Sequence, residues 1–199
     1  MISLGDKFAS AGLDAKINIW NMNTGEKLKS LEGHSKSIFC LIKIKGDEVS
    51  GDWLISGSAD GTARIWTIDK GKCSRIMNHG SKMVTHVACD VSDKFLYTGL
   101  NDGTINTWKI RTGEKLQTYE EHKNASLDST CKCWHSDSTS SIREFKRHGK
   151  KISDILIQGT LIFTACHDGK IRCFDFKTGN LKRIFDAKPN ESIHKLLYD

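Results

Sequence analysis

The residues of this sequence best suited to chemistry are three sets of histidine, hydroxyl and carboxylate. They are His34 with Ser56 and Asp60, His79 with Thr98 and Asp102, and His148 with Thr164 and Asp168. A histidine oriented by an aspartate can take the proton of a serine, so each set read alone suggests acyl transfer. Two features point away from it. The set recurs along the chain, whereas an enzyme needs it once. The hydroxyl alternates between Ser and Thr and sits inside an apolar, strand-like stretch rather than on an exposed elbow.

Metal chemistry is the other candidate. Cys131, Cys133 and His135 alternate around Trp134, which on an extended strand puts them on one face, as a zinc site would need with a fourth ligand nearby. Cys166, His167 and Cys173 follow in the next segment. Yet Cys131 aligns with Ile17, Ala63, Ile105 and Ile171, and Cys133 with Ile19, Ile65 and Thr107. Those are inward positions where a small apolar side chain serves. There is no phosphate-binding glycine loop, no Gly-x-Gly-x-x-Gly and no His-Glu-x-x-His. The sequence thus predicts no catalytic residue, no metal and no cofactor.

The elements that carry these sets repeat. Five segments align: Phe8 to Trp20, Leu54 to Trp66, Leu96 to Trp108, a shortened Ala125 to Trp134, and Ile162 to Phe174. In each, an aspartate (Asp14, Asp60, Asp102, Asp128, Asp168) precedes the closing aromatic by six residues. Gly25, Gly71, Gly113 and Gly179 each follow an aromatic by five, and His34, His79, His122 and His148 follow one by thirteen or fourteen. Apolar residues run or alternate before the aspartate, as in a half-buried strand. Asp-Gly or Asp-Ala makes a tight turn, a second strand ends on the aromatic, and a third follows the glycine turn. A further strand follows the histidine, as in Ser37 to Ile44 or Met83 to Cys89. Four short antiparallel strands per ~40 residues make one propeller blade, and a single blade must stack on others to bury its faces.

On these residues the chain resembles the WD-repeat family over nearly its whole length. The literal Trp-Asp pair is missing after Trp20, Trp66, Trp108 and Trp134, and the fifth copy carries Phe174-Asp175. The resemblance implies an all-β fold of four-stranded antiparallel blades, and a non-catalytic scaffold or adaptor that assembles a macromolecular complex. It also implies a structural role for His34, Ser56, Asp60, Trp66, His79, Thr98, Asp102, Trp108, His148, Thr164 and Asp168. In that network the aspartate accepts from the histidine, and the hydroxyl bridges the histidine to the indole. Phe174 has no indole N–H, so the fifth network should be shorter. Substrate recognition for a ubiquitin ligase and an RNA-associated scaffold are the alternatives. Some members dock a ligase through Trp-Asp-x-Arg; the nearest run here, Trp108-Lys109-Ile110-Arg111, has lysine in place of the acid.

The copies divide the chain approximately into 1–32, 33–77, 78–121, 122–147 and 148–187, with 192–198 reading as a stray first strand. The fourth is defective. Histidine to aspartate takes 26 residues from His34, 23 from His79 and 20 from His148, but 6 from His122. The join lies near Lys123-Asn124-Ala125, and a three-residue link cannot replace two strands. The expectation is a partial propeller of about five blades whose fourth keeps only its last two strands. Either a contiguous piece of a seven-bladed ring, the family's usual size, or a ring of five closed by the last strand fits this pattern.

A lysine stands within three residues of each of the four repeat histidines, His34, His79, His122 and His148: Lys36, Lys82, Lys123, Lys150 and Lys151. With a net charge of +6, these residues suggest docking of an acidic or phosphorylated protein segment, or of RNA. Charge spread along solvated loops is the other reading, and no aromatic–basic interleaving marks a base-stacking surface. The 199 residues are 38% hydrophobic and 27% charged, hold one proline and lack a run of ~20 apolar residues, which predicts no membrane insertion. The start lacks a basic, apolar leader. Seven cysteines without a Cys-x-x-Cys pair then read as reduced thiols in a cytoplasmic or nuclear protein. There the sequons at Asn124 and Asn190 carry no sugar.

Overall fold

The computed structural model describes residues 1–46, 51–90, 92–120, 130–134, 141–186, 191–194 and 196. They are strands and turns, and among them no helix is long and apolar enough to cross a membrane. The chain divides into two units, Met1–Thr118 and Tyr119–Asp199.

The first unit holds three sheets, each antiparallel with its strands in chain order. The first runs β1 (Ile2–Ser3), β2 (Lys7–Ala11), β3 (Ile17–Asn21) and β4 (Lys27–Leu31). The second runs β5 (Ile38–Ile44), β6 (Trp53–Ser58), β7 (Thr62–Thr67) and β8 (Lys72–Asn78). The third runs β9 (Val84–Cys89), β10 (Phe95–Leu100), β11 (Ile105–Lys109) and β12 (Lys115–Tyr119). In the second unit β13 (Cys131–Trp134) pairs with β14 (Ser141–Phe145). After them β15 (Ile152–Gln158), β16 (Leu161–Cys166), β17 (Lys170–Asp175) and β18 (Leu181–Asp186) form another four-stranded sheet. The protein is therefore all-β, built of blade-like sheets, one of which has two strands among the described residues.

The aspartate turns join the second and third strands of each full sheet, and they need a left-handed residue. Gly61, Gly103 and Gly169 supply it at φ of 80°, 91° and 79°. In the first sheet the position is held by Ala15 at φ 61°, where a Cβ makes the conformation costly. At Gly61 the space is closed as well, since a Cβ there would stand 2.1 Å from the carbonyl oxygen of Gly80.

Stacking buries the core between sheets. Leu31 of the first sheet packs with Ile38, Leu54 and Trp66 of the second. Met77, Ile44, Trp53 and Ile55 of the second pack with Val84, Val87, Leu96 and Trp108 of the third. In the second unit Phe145 and Cys131 of the two-stranded sheet pack on Ile152, Ile162 and Phe174. Phe145 is fully buried and meets Phe174 edge-on, with ring centroids 5.4 Å apart. Residues 192–198, read from sequence as a strand, form none where described. Instead the Ile193 amide donates to the Cys166 carbonyl (3.4 Å), and the Leu196 amide to the Asp154 carboxylate (2.7 Å).

Candidate partner-binding site

The three histidine sets are brought together, but not alike. In the second sheet the Trp66 indole N–H donates to Ser56 Oγ (2.8 Å), which lies 2.7 Å from His34 Nε2; His34 Nδ1 lies 2.8 Å from Asp60 Oδ2. A carboxylate can only accept, so the proton sits on Nδ1, and Nε2 accepts the Ser56 hydroxyl proton. Asp60 also accepts from the Ser35 amide (3.1 Å), the Thr62 amide (2.9 Å) and the Thr62 hydroxyl (2.7 Å). Burial works to raise its carboxyl, but the bonds from Thr62, His34 and Ser35 outweigh it and hold the group down at about 2. Burial is also the main effect on His34 and lowers it, so the imidazole is neutral at pH 7.

In the third sheet the Trp108 indole donates to Thr98 Oγ1 (3.0 Å), itself 2.8 Å from His79 Nε2. The expected contact between His79 and Asp102 is not formed. His79 Nδ1 faces the Gly61 carbonyl oxygen at 3.3 Å, and Asp102 pairs with Lys82 at 2.7 Å. A full positive charge three residues past the histidine competes successfully for the carboxylate. In the last sheet His148 Nε2 lies 2.7 Å from Thr164 Oγ1, and the His148 ring packs beside Phe174. Asp168 is gripped by both terminal nitrogens of Arg172, at 3.1 and 2.6 Å. Burial pushes its carboxyl up, yet the Arg172 bonds bring it well below the usual range.

What the four described aspartates share is the turn. Asp14, Asp60, Asp102 and Asp168 each accept the amide two residues on, at 3.3, 2.9, 3.0 and 3.1 Å. That is the Asx-turn geometry suited to an Asp-Gly corner. Sequence reasoning missed Thr62 and Arg172, and it missed Ser10, whose Oγ accepts the Trp20 indole N–H at 2.8 Å. Ser10 stood four residues before Asp14, as Ser56 stands before Asp60.

Of the lysines, Lys36, Lys82, Lys150 and Lys151 are exposed, and Lys123 lies outside the described residues, as do His122, Asn124, Asp128, His135 and Asn190. The lysines stand in the links that carry the chain from the last strand of one sheet to the first of the next. Backbone contacts pin these links: the Lys36 carbonyl accepts from the Ser58 hydroxyl (3.0 Å), and the Lys151 carbonyl from the His167 amide (2.9 Å). All seven cysteines are free thiols. Cys131 is buried in the core, which pushes its thiol up to about 12.

The WD40 family profile (WD domain, G-beta repeat) matches residues 25–67, 71–109 and 139–175, more than half of the sequence. The chain belongs to the WD40 family. Among WD-repeat relatives, it is 34% identical over 105 residues to DENN domain and WD repeat-containing protein SCD1 of Arabidopsis thaliana, covering 53% of this chain and 8% of that protein. It is 27% identical over 210 residues to Pre-mRNA-processing factor 19 homolog 2 of the same plant, covering 93% of this chain and 39% of that one. WD repeat-containing protein 41 of Mus musculus is 32% identical over 143 residues, covering 70% of this chain and 27% of that one. The chain thus spans well under two thirds of these relatives. The 210-position match is longer than the 199-residue chain itself, so that relative carries residues which this chain lacks.

Proposed function

We propose that this WD40 chain is a non-catalytic scaffold that docks acidic or phosphorylated segments of other proteins on its histidine-bearing links. One contrast carries the reading. Ser56, Thr98 and Thr164 are buried and already bonded to His34, His79 and His148, so no hydroxyl is offered to a substrate. The lysines beside those histidines are exposed. The networks fix the backbone of the links, and the links present charge. Free thiols and the family's character fit a protein of the cytoplasm or nucleus.

The test is a pull-down from lysate with the whole chain and two double variants, Lys36→Glu with Lys82→Glu and Lys150→Glu with Lys151→Glu. Loss of partners from either variant, with melting lowered by no more than about 4 °C, is the expected result. An unaltered set of partners removes the basic links from the function. Loss that nuclease treatment reproduces transfers the site to RNA.

A further inference from the structure

The two-stranded sheet leaves a specific surface uncovered. In each full sheet that follows another, one residue of the first strand stands opposite the network hydroxyl: Leu41 opposite Ser56, Val87 opposite Thr98, Ile155 opposite Thr164. Two residues on, Cys89 and Ile157 are likewise equivalent, opposite Leu96 and Ile162. In the first unit this face is covered. Val87 is 9% exposed and shares a core with Ile44, Trp53 and Ile55, which belong to β5 and β6 of the preceding sheet, and Cys89 packs against the same core. In the second unit Ile155 is 46% exposed and Ile157 60%.

The cause lies in what precedes β15. The pairing of Cys131 with Phe145 matches that of Ala63 with Met77, so β13 and β14 correspond to β7 and β8. They cover Ile152, Ile162 and Phe174. The counterparts of β5 and β6, which would cover Ile155 and Ile157, are absent from the sheet among the described residues. Two neighbouring isoleucines facing water on a first strand are an unfilled half of an interface whose other half is built.

We propose that the Ile155–Ile157 strip of β15 is a docking site for an extended β-segment of another polypeptide. That segment is apolar at alternate positions and supplies in trans the two strands that the shortened blade lacks. The chemistry of the occupant is given by the molecule itself, because the equivalent strip on β9 is covered by a β-hairpin presenting Ile44, Trp53 and Ile55. The site is continuous with the existing packing of Phe145 and Cys131 on the same sheet. The segment packs on this strip face to face, as β5 and β6 pack on β9 without pairing to it, and its backbone pairs beside β13, as β6 pairs beside β7. The proposal deepens the scaffold reading by naming a second surface, independent of the lysines.

The probe is a synthetic, fluorescein-labelled peptide of Ile38–Ser58, titrated into the whole chain and followed by anisotropy. Saturable binding is expected, together with slowed amide exchange over Ile152–Gln158. A peptide carrying Ile44→Lys and Ile55→Lys should bind at least 10-fold more weakly. So should the unmodified peptide to chain variants Ile155→Lys and Ile157→Lys, whose sites are exposed enough to leave folding and melting unchanged. The Lys36→Glu, Lys82→Glu variant should bind the peptide as tightly as the unaltered chain, which separates this site from the lysine-bearing links. No binding overturns the proposal, as does equal binding by Ile155→Lys and Ile157→Lys.

Discussion

Removing Asp60 and removing Asp102 are the same edit at equivalent positions of two adjacent blades, and the structure predicts unequal outcomes. Asp60→Ala strips the acceptor from four donors: His34 Nδ1, the Ser35 amide, the Thr62 amide and the Thr62 hydroxyl. Water can reach the Ser35 and Thr62 groups, and their loss costs a few tenths of a kcal/mol each. The His34 side chain is 0% exposed, so its Nδ1–H is left stranded, at about 1–3 kcal/mol for an unsatisfied buried donor. Adding the lost charge-assisted bond brings the total to about 3 kcal/mol. Asp102→Ala removes a solvent-exposed ion pair to Lys82 and one turn bond to the Thr104 amide. Exposed pairs contribute roughly 0–1 kcal/mol, so the loss should stay near or below 1 kcal/mol. For a unit of this size 1 kcal/mol moves the melting temperature by about 3–5 °C. Asp60→Ala should therefore melt about 10 °C lower and Asp102→Ala within about 4 °C. Trp20, Trp53, Trp66 and Trp108 all lie in the first unit, so a thermal scan by tryptophan fluorescence reads mainly that unit. Equal shifts for the two variants, or none for Asp60→Ala, would refute the assignment of the histidine–aspartate bond to the second sheet rather than the third.

Acid should weaken the first unit through the same pair. Asp60 is held at about 2 against an ordinary 3.8, so the folded state favours its charged form. Its contribution of about 2 kcal/mol is complete above pH 4 and is lost as pH falls through 2. His34, kept neutral below its ordinary 6.5, acts with the same sign, because the unfolded chain binds the proton first. Urea melts between pH 7 and 3 should show falling stability, and Asp60→Asn should flatten the lower part of the curve. Ala15→Gly should raise stability by up to about 1 kcal/mol, because it relieves a left-handed alanine at φ 61° in the one aspartate turn among the described residues that lacks glycine; a lower denaturation midpoint would contradict this. Phe145→Ala should cost about 3–5 kcal/mol in the second unit, since it empties a fully buried site against Phe174, and an unchanged exchange rate of the β15–β16 amides would show that the two-stranded sheet is not packed there.

The blade pattern was legible because it rests on local rules that each copy repeats. Asp-Gly corners, alternating apolar positions and a closing aromatic each follow from turn and strand stereochemistry, and they set β2–β3, β6–β7, β10–β11 and β16–β17 without reference to distant residues. The shortened segment before Cys131 was legible for the same reason: spacing alone shows too few residues for four strands. What the spacing could not show is which donor each aspartate would choose. Lys82 and Arg172 are ordinary surface-type residues in the sequence, and their bonds to Asp102 and Asp168 depend on where a long side chain can reach in three dimensions.

The recurrence of the aspartate therefore has a different cause from the one the histidine sets suggest. If the histidine contact selected it, Asp102 would be bonded to His79, and it is bonded to Lys82 instead. Asp14 closes its turn onto the Lys16 amide as Asp60, Asp102 and Asp168 close theirs. The carboxylate is held first by the corner that it makes, through Oδ1, while the remaining oxygen is free to take whichever cation or N–H the neighbouring link supplies. That leaves the link adjustable from blade to blade without disturbing the strands beneath. His34 takes the oxygen in one blade and Lys82 in the next, while in the last the Gly149 amide of the link shares it with Arg172 of β17. Of these partner side chains only Lys82 stands exposed, so neighbouring links differ in the charge they show although each rests on the same aspartate corner.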